Sequence, residues 1–369
     1  MKRILAIAMM ILMVCSLSGC WFWGNKDKDD DVNSDLVSNL ASPTPKATIT
    51  PYNPGGATGN TGTNETSKPA PTQKPSPTPA KQTMTITVYY QDSEGCVIPA
   101  ARVMEKQIGV ARASINATID NSVNRESVSY YGLYPILPKD TEVLGINIKG
   151  KTAIIDFNNK VLNYSSEQEE RNIISAIVYS LTEFDTIDDV RILVNGYEQG
   201  KLKYGTDISG LLDRSNCMIN NFKVNLSEGV QKSDIYVYKS VNNKYNYLVP
   251  VSVEHTAIDE EDVPAKLVAL LSSEYSNDVF FSELPASCRL IDSTIRDDLL
   301  ELDFNSEIKN YTGSTREKRI INQIYHTMKQ IDGVNKIKIL IEGATGRLPE
   351  GTNISQTVYL PKDINLLDN

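Results

Sequence analysis

LPKDTEVLGINIKGKTAIIDFNNKVLNYSSEQEERNIISAIVYSLTEFDTIDDVRILVNG, residues 137–196, returns as LPASCRLIDSTIRDDLLELDFNSEIKNYTGSTREKRIINQIYHTMKQIDGVNKIKILIEG, residues 284–343. A shift of 147 positions lays one on the other without a gap, and about 16 of the 60 positions are identical. Leu137-Pro138 falls on Leu284-Pro285, Asp156-Phe157-Asn158 on Asp303-Phe304-Asn305, Asn163-Tyr164 on Asn310-Tyr311, and Gly196 on Gly343. A one-residue adjustment sets Gly205-Thr206-Asp207-Ile208-Ser209 on Gly351-Thr352-Asn353-Ile354-Ser355. Upstream, with small gaps, Ile86-Thr87-Val88-Tyr89 is set on Ile235-Tyr236-Val237-Tyr238, and Ile98-Pro99 on Val249-Pro250. A period this long marks a duplicated domain of about 125 residues, not a solenoid repeat.

Each copy carries the same pattern. Thr85–Tyr90 alternates as a strand and Cys96–Met104 is its return strand, with Gly95 in the turn. A helix is predicted around Ala111–Val123; in the second copy Pro264 opens the corresponding helix, since proline suits a first turn. Two short strands follow, Val143–Ile148 and Thr152–Phe157, matched by Leu290–Ile295 and Leu299–Phe304. Ser166 with Glu169, and Ser314 with Glu317, have the spacing of capping boxes. Beyond them Ile173, Ile174, Ile177, Val178 and Leu181, and Ile320, Ile321, Ile324, Tyr325 and Met328, each form one helical stripe that must be buried. The last strands alternate as Val190, Ile192, Val194 and as Ile337, Ile339, Ile341. The fold class expected is α+β, as tandem two-layer domains. Each is a small mixed or antiparallel sheet packed by two helices.

Outside the repeat the composition changes. Lys2 and Arg3 precede an apolar run, Ile4–Val14, too short for a bilayer span and suited to a cleaved signal. Leu17-Ser18-Gly19-Cys20 looks like the lipobox of bacterial lipoproteins, which implies that Cys20 is acylated and becomes the first mature residue. Trp21, Phe22 and Trp23 follow, rings that favour a membrane interface. Residues 25–83 are charged, then rich in Pro, Thr, Gly, Ser and Asn; such a stretch buries too little to fold. The organisation expected is therefore a signal at 1–19 and an anchor and tether at 20–83. The first domain takes 84–212, a connector 213–229, and the second domain 230–369. Localisation follows: the extracytoplasmic face of the cell membrane, lipid-anchored. Without Lys2 and Arg3, 35 basic residues face 46 acidic ones, a net charge of −11. That argues against nucleic acid as a partner. Cys96, Cys217 and Cys288 are too few and too scattered for a disulfide framework or a zinc site. They read as semi-buried thiols, with a Cys96–Cys217 pair as the alternative.

The two copies resemble GerMN domains, in the tandem arrangement of GerM-type sporulation and spore germination lipoproteins. The carriers are Val97-Ile98-Pro99 and Leu248-Val249-Pro250, the two Leu-Pro pairs, the Asp-Phe-Asn strand ends, Leu181-Thr182-Glu183-Phe184, and the strand Val190–Gly196. The resemblance spans roughly Thr85–Leu212 and Asp234–Leu360. Met328-Lys329-Gln330-Ile331 departs from the pattern in the second copy. The resemblance implies a domain like the ring-building modules of secretion systems, and a non-enzymatic lipoprotein that supports an envelope or intermembrane complex in sporulation and germination. It implies partners among envelope or sporulation-complex proteins, self-association or association with related chains, and no cofactor.

The residues themselves offer little chemistry. His255 and His326 are the only histidines and do not align, so a Ser-His or Cys-His nucleophile is hard to assemble. His326 falls on Tyr179, an aromatic for an aromatic. Asp156 and Asp303 have the residue type of an acid–base pair; one per copy, they read better as strand-end residues satisfying a turn. Gly205–Ser209 and its partner read as Gly turns with Asx caps rather than ligand loops. Gly343-Ala344-Thr345-Gly346-Arg347 lacks the Lys-Ser/Thr of a phosphate loop. No catalytic, cofactor or metal residues are assigned; Cys20 is the one site. The alternative function is an extracytoplasmic module that binds wall glycan or a small ligand and modulates a membrane partner such as a sensor kinase. Tyr130, Tyr131, Tyr245 and Tyr247 would supply rings to stack on peptidoglycan sugars, or else are ordinary strand tyrosines.

Overall fold

The structure, a computed structural model, describes residues 82–221, 223, 226–273 and 279–367. Cys20, the signal and the tether lie outside them. The first copy runs β1 (Thr83–Gln91), β2 (Val97–Glu105), α1 (Val110–Asn116), α2 (Ser122–Ser129), β3 (Val143–Lys149), β4 (Thr152–Phe157), α3 (Glu167–Leu181), β5 (Asp189–Val194) and β6 (Tyr197–Glu198). The second runs β7 (Val230–Val241), β8 (Tyr245–Thr256), α4 (Val263–Ser273), β9 (Leu290–Arg296), β10 (Leu299–Phe304), α5 (Ser314–Met328), β11 (Lys336–Ile341) and β12 (Val358–Tyr359). Each copy holds an antiparallel hairpin and a mixed four-stranded sheet, in the orders β3-β4-β5-β6 and β9-β10-β11-β12. The central pairs, β4–β5 and β10–β11, are parallel, with the long helix as crossover. This is the tandem α+β architecture that the patterns predict.

The long helix is buried on more than its apolar stripe. Besides Ile173, Ile177 and Leu181 against the sheet, α3 buries Asn172, Ser175, Tyr179 and Ser180. Those polar residues meet the hairpin and its surroundings: Asn172 Nδ2 donates to Gly95 O at 2.7 Å, and Tyr89 N–H donates to Ser180 Oγ at 3.3 Å. In the second copy Tyr236 N–H donates to Thr327 Oγ1 at 3.0 Å. These contacts correct the sequence alignment of the opening strand, because Tyr89 is the counterpart of Tyr236, not of Tyr238.

Two other expectations are corrected. The single helix around Ala111–Val123 is two short helices. Thr118 Oγ1 donates to Ile115 O at 2.7 Å, and Asn121 Oδ1 accepts from Asn124 N–H at 2.9 Å, so side chains end one helix and start the next. The capping box at Ser314 and Glu317 does not form. Gly313, at φ 96°, precedes α5 and supplies no side-chain cap. Glu317 instead matches Glu170, a buried carboxylate that ties the helix to a loop. Glu170 accepts from Tyr204 N–H (2.8 Å) and Thr206 N–H (3.0 Å). Glu317 accepts from Glu350 N–H (2.7 Å), Thr352 N–H (2.9 Å) and Tyr311 Oη (2.7 Å). Burial opposes their ionisation, and these donors outweigh it, so both carboxyls sit below the ordinary range. At the first helix the cap holds: Ser166 Oγ accepts from Glu169 N–H at 3.2 Å. The Glu169 carboxylate takes the N–H of Ser165 rather than that of Ser166.

The two hairpins pack face to face. Val88, Tyr90, Ile98 and Ala100 share one core with Ile235, Val237, Val249 and Val251, while Tyr89 and Val97 face the first copy's own core. Burying a Val, Leu or Ile side chain contributes about 1.5–3 kcal/mol. The six Val and Ile side chains among these give a gross term on the order of 10 kcal/mol, comparable with the net stability of a whole domain.

Candidate functional site

The seam between the copies holds a network of polar contacts that joins them. Asn220 and Asn365 are both left-handed, at φ 57° and 48°, a conformation asparagine tolerates. Asn220 Oδ1 accepts from Val97 N–H at 2.7 Å, and its Nδ2 donates to Val97 O (2.8 Å) and across the seam to Pro250 O (2.9 Å). Asn365 repeats this from the other side: Oδ1 accepts from Leu248 N–H at 2.9 Å, and Nδ2 donates to Leu248 O (2.7 Å) and Pro99 O (2.8 Å). The preceding carbonyls match too. Ile219 O accepts from Ser252 N–H at 3.0 Å and Ile364 O from Ala101 N–H at 2.8 Å. The segment following each copy thus crosses to the return strand of the other, about a pseudo-twofold axis. Such an interface, large and apolar, fixes the angle between the copies.

Beside the axis the symmetry ends. Glu183 receives Tyr89 Oη at 2.8 Å, Arg214 Nη2 at 2.6 Å and, from the second copy, Lys329 Nζ at 3.2 Å. Burial opposes its ionisation; the Arg214 and Lys329 charges outweigh that and bring the carboxyl down to about 2. At the position equivalent to Glu183 stands Gln330, which accepts from Asp234 N–H at 2.9 Å and donates to Asp234 O at 2.7 Å. Asp234 in turn accepts from Tyr179 Oη (2.5 Å) and Ser252 Oγ (2.9 Å) and pairs with Lys232 (2.8 Å). The departure of Met328-Lys329-Gln330-Ile331 from Leu181-Thr182-Glu183-Phe184 is therefore the asymmetric filling of one seam. Sequence reasoning missed Arg214, Lys232 and Asp234, because nothing in their spacing marks a contact made across two copies.

The other predicted residues fall in structural places. Asp156 Oδ1 accepts from Gly196 N–H at 2.8 Å and Asp303 Oδ1 from Gly343 N–H at 2.9 Å, so each closes the turn after the neighbouring strand. Asp207 and Asn353 accept from Ser209 N–H and Ser355 N–H, both at 3.0 Å, as Asx caps. His255 Nε2 lies 2.9 Å from Ser233 Oγ and its Nδ1 2.9 Å from Thr256 O, a buried cross-strand contact whose second nitrogen meets a backbone carbonyl, not a carboxylate. His326 packs on Tyr236 at 5.5 Å; burial, with Lys329 adding to it, lowers its pKa to about 4. Cys96, Cys217 and Cys288 are buried free thiols, so the Cys96–Cys217 pair is not made. Burial raises all three; Cys217 and Cys288 reach about 12. Among the described residues no cluster of His, Cys, Asp and Glu is placed to hold a metal, and no helix is long and apolar enough to cross a membrane.

Two surfaces remain. The first is the pair of edge strands. β3 and β9 have a neighbour on one side only. Both show the same apolar pair, Leu144 with Ile148 and Ile291 with Ile295, between 42% and 56% exposed. The second surface is formed by Tyr130, Tyr131 and Tyr245; Tyr247, the fourth tyrosine singled out in the sequence, is buried beneath them. Tyr130 and Tyr131 lie at the end of α2 rather than in a strand, and meet Tyr245 at 6.2 and 5.9 Å between ring centroids.

A tandem of α+β domains joined through a buried two-fold seam is thus the class of protein defined here. The chain belongs to the family described as Germane: Sporulation and spore germination, whose sequence profile it matches over residues 87–200 and 234–347. It is similar to the spore germination protein GerM of Bacillus subtilis (strain 168), 26% identical over 296 residues, 78% of this chain and 79% of that protein. Its fold is similar to that of the tandem GerMN domains of the B. subtilis sporulation protein GerM, with a TM-score of 0.68 and 24% identity over 76% of this chain and 99% of that one. The first GerMN domain of the same protein aligns at 30% identity over 36% of this chain and 98% of that one, with a TM-score of 0.33.

Proposed function

We propose that the protein is a non-enzymatic scaffold, lipid-anchored through Cys20 on the outer face of the membrane. In this reading it supports an envelope or intermembrane complex of sporulation and germination through protein–protein contacts. The observation that carries the reading is the duplicated edge: Leu144 with Ile148 and Ile291 with Ile295, beside the unpaired outer edges of β3 and β9. An unpaired strand edge flanked by apolar side chains accepts a strand from a partner. Two such edges held at a fixed angle align two contacts at once, so each strengthens the other through effective concentration. Family membership and the lipobox reading support the setting.

Deleting the gene and scoring spore yield and germination tests the setting; normal spores and normal germination would overturn it. Ile148→Lys with Ile295→Lys then tests the edges, since an edge lysine blocks strand addition without disturbing the core. The double variant is expected to melt like the parent and to fail to restore spores in the deletion strain. Full restoration would exclude the edges as the working surface.

A further inference from the structure

The second hairpin is longer than the first at its tip. Nine residues, 239–247, connect Tyr238 to Leu248, where five, 92–96, connect the equivalent Gln91 to Val97. The added tip turns through Asn242 and Asn243, at φ 53° and 52°, and reaches the first copy. There Tyr247 Oη donates to Tyr131 O at 2.8 Å, and Lys239 lies 3.7 Å from Asp92 and pairs with Glu94. The result is a surface with no counterpart on the other side of the pseudo-twofold axis. Tyr130 is 70% exposed. It stands edge-on to Tyr131 at 5.3 Å and to Tyr245 at 6.2 Å. Lys244 Nζ sits 4.1 Å from the Tyr130 ring centroid and 4.7 Å from that of Tyr245. Such contacts hold an exposed ring in place. Beside the same tip lies an open groove of about 210 Å³ walled by Asp92, Ser93, Glu94, Ser240, Asn242 and Asn243.

We propose that this tyrosine platform and its groove bind the glycan strand of peptidoglycan. The site asks for a flat, hydroxyl-rich, uncharged chain: fixed rings offer a stacking face, and amide, hydroxyl and carboxylate groups beside them match sugar hydroxyls and N-acetyl amides. Lys239 and Lys244 balance the Asp92 and Glu94 charges locally, and the chain's net charge of −9 disfavours an anionic polymer. This inference is independent of the edge-strand reading.

The test is co-sedimentation of the full-length protein, in mild detergent, with purified sacculi stripped of covalently attached anionic polymers. Wild type is expected to sediment with them. Tyr130→Ala and Lys244→Ala are each expected to weaken binding about tenfold, 1.4 kcal/mol, with unchanged melting, and Tyr130→Trp to retain it. Tyr197→Ala and Tyr359→Ala, exposed tyrosines far from the tip in sequence, are expected to bind like wild type. No binding by wild type, equal binding by Tyr130→Ala, loss in the two distant controls, or binding only to unstripped walls would each overturn the proposal.

Discussion

The two copies keep the same residues where the fold needs them and differ where they touch each other or face outward. The buried glutamates Glu170 and Glu317, the strand-end aspartates Asp156 and Asp303, and the crossing asparagines Asn220 and Asn365 do the same work twice. Each satisfies backbone groups, part-buried ones at the glutamates and asparagines and surface turns at the aspartates. The pairs Glu183 and Gln330, Tyr179 and His326, and Ile154 and Glu301 do not match. At the seam each changed residue finds a different kind of partner. In the seam Glu183 is answered by Lys329 from the second copy, and Gln330 by the backbone of Asp234.

The largest break in that comparison is at Glu183. Glu183→Ala leaves Arg214, Lys329 and Tyr89 without their shared acceptor; losing one partner of a buried ionic group costs about 3–5 kcal/mol, an upper bound here because Arg214 and Lys329 are about a third exposed. Gln330→Ala leaves one backbone N–H and one carbonyl short, about 1–3 kcal/mol. Denaturant unfolding of the two variants checks the order. An equal or smaller loss for Glu183→Ala would mean that the seam is held by its apolar faces alone.

A medium effect separates Tyr179 from His326. A tyrosine hydroxyl is neutral throughout the acid range, and burial raises that of Tyr179 further, so Tyr179 adds no acid dependence. His326, at about 4 in the fold against about 6.5 when unfolded, is neutral where the unfolded chain takes up a proton. Its contribution is therefore complete above about pH 6.5 and is lost as pH falls toward 4. Between pH 7.5 and 4.5 the loss is on the order of 2 kcal/mol. His326→Phe keeps a ring against Tyr236 and removes this term, so its stability should fall less over that range. Parallel curves for parent and variant would place the acid sensitivity elsewhere.

The sheets, the long helices and the tandem layout were legible because each rests on a local period. The correspondence of the opening strands was not: a strand shifted by two keeps its alternation, and contacts distant in sequence, such as those of Ser180 and Thr327, fix it. The helix break at Thr118–Asn121 turns on side chains that compete with the backbone, which an apolar stripe does not reveal. Of the candidate surfaces, the tyrosines were visible as residue types. Their meeting depends on four extra residues in one hairpin and on a two-fold packing that no local pattern encodes.

The smallest effect concerns the outer faces of the two sheets. In the first copy Ile154, Leu193 and Leu211 line an open groove of about 420 Å³ rimmed by Lys149 and Arg191. The equivalent of Ile154 is Glu301, which pairs with Lys338 at 3.2 Å and Arg296 at 3.7 Å. Lys149 and Arg191 stand where Arg296 and Lys338 stand, so a glutamate at 154 would face the same two charges, Arg191 being shared with Glu198. Surface ion pairs contribute about 0–1 kcal/mol, and Ile154 is only half-buried. Ile154→Glu should therefore change the unfolding free energy by no more than about 1 kcal/mol. A loss of several kcal/mol would mean that Ile154 is part of the first copy's packing and that the faces differ for the fold. A neutral result leaves the apolar groove unexplained by stability, as a feature the first copy keeps on its surface and the second has replaced with charge.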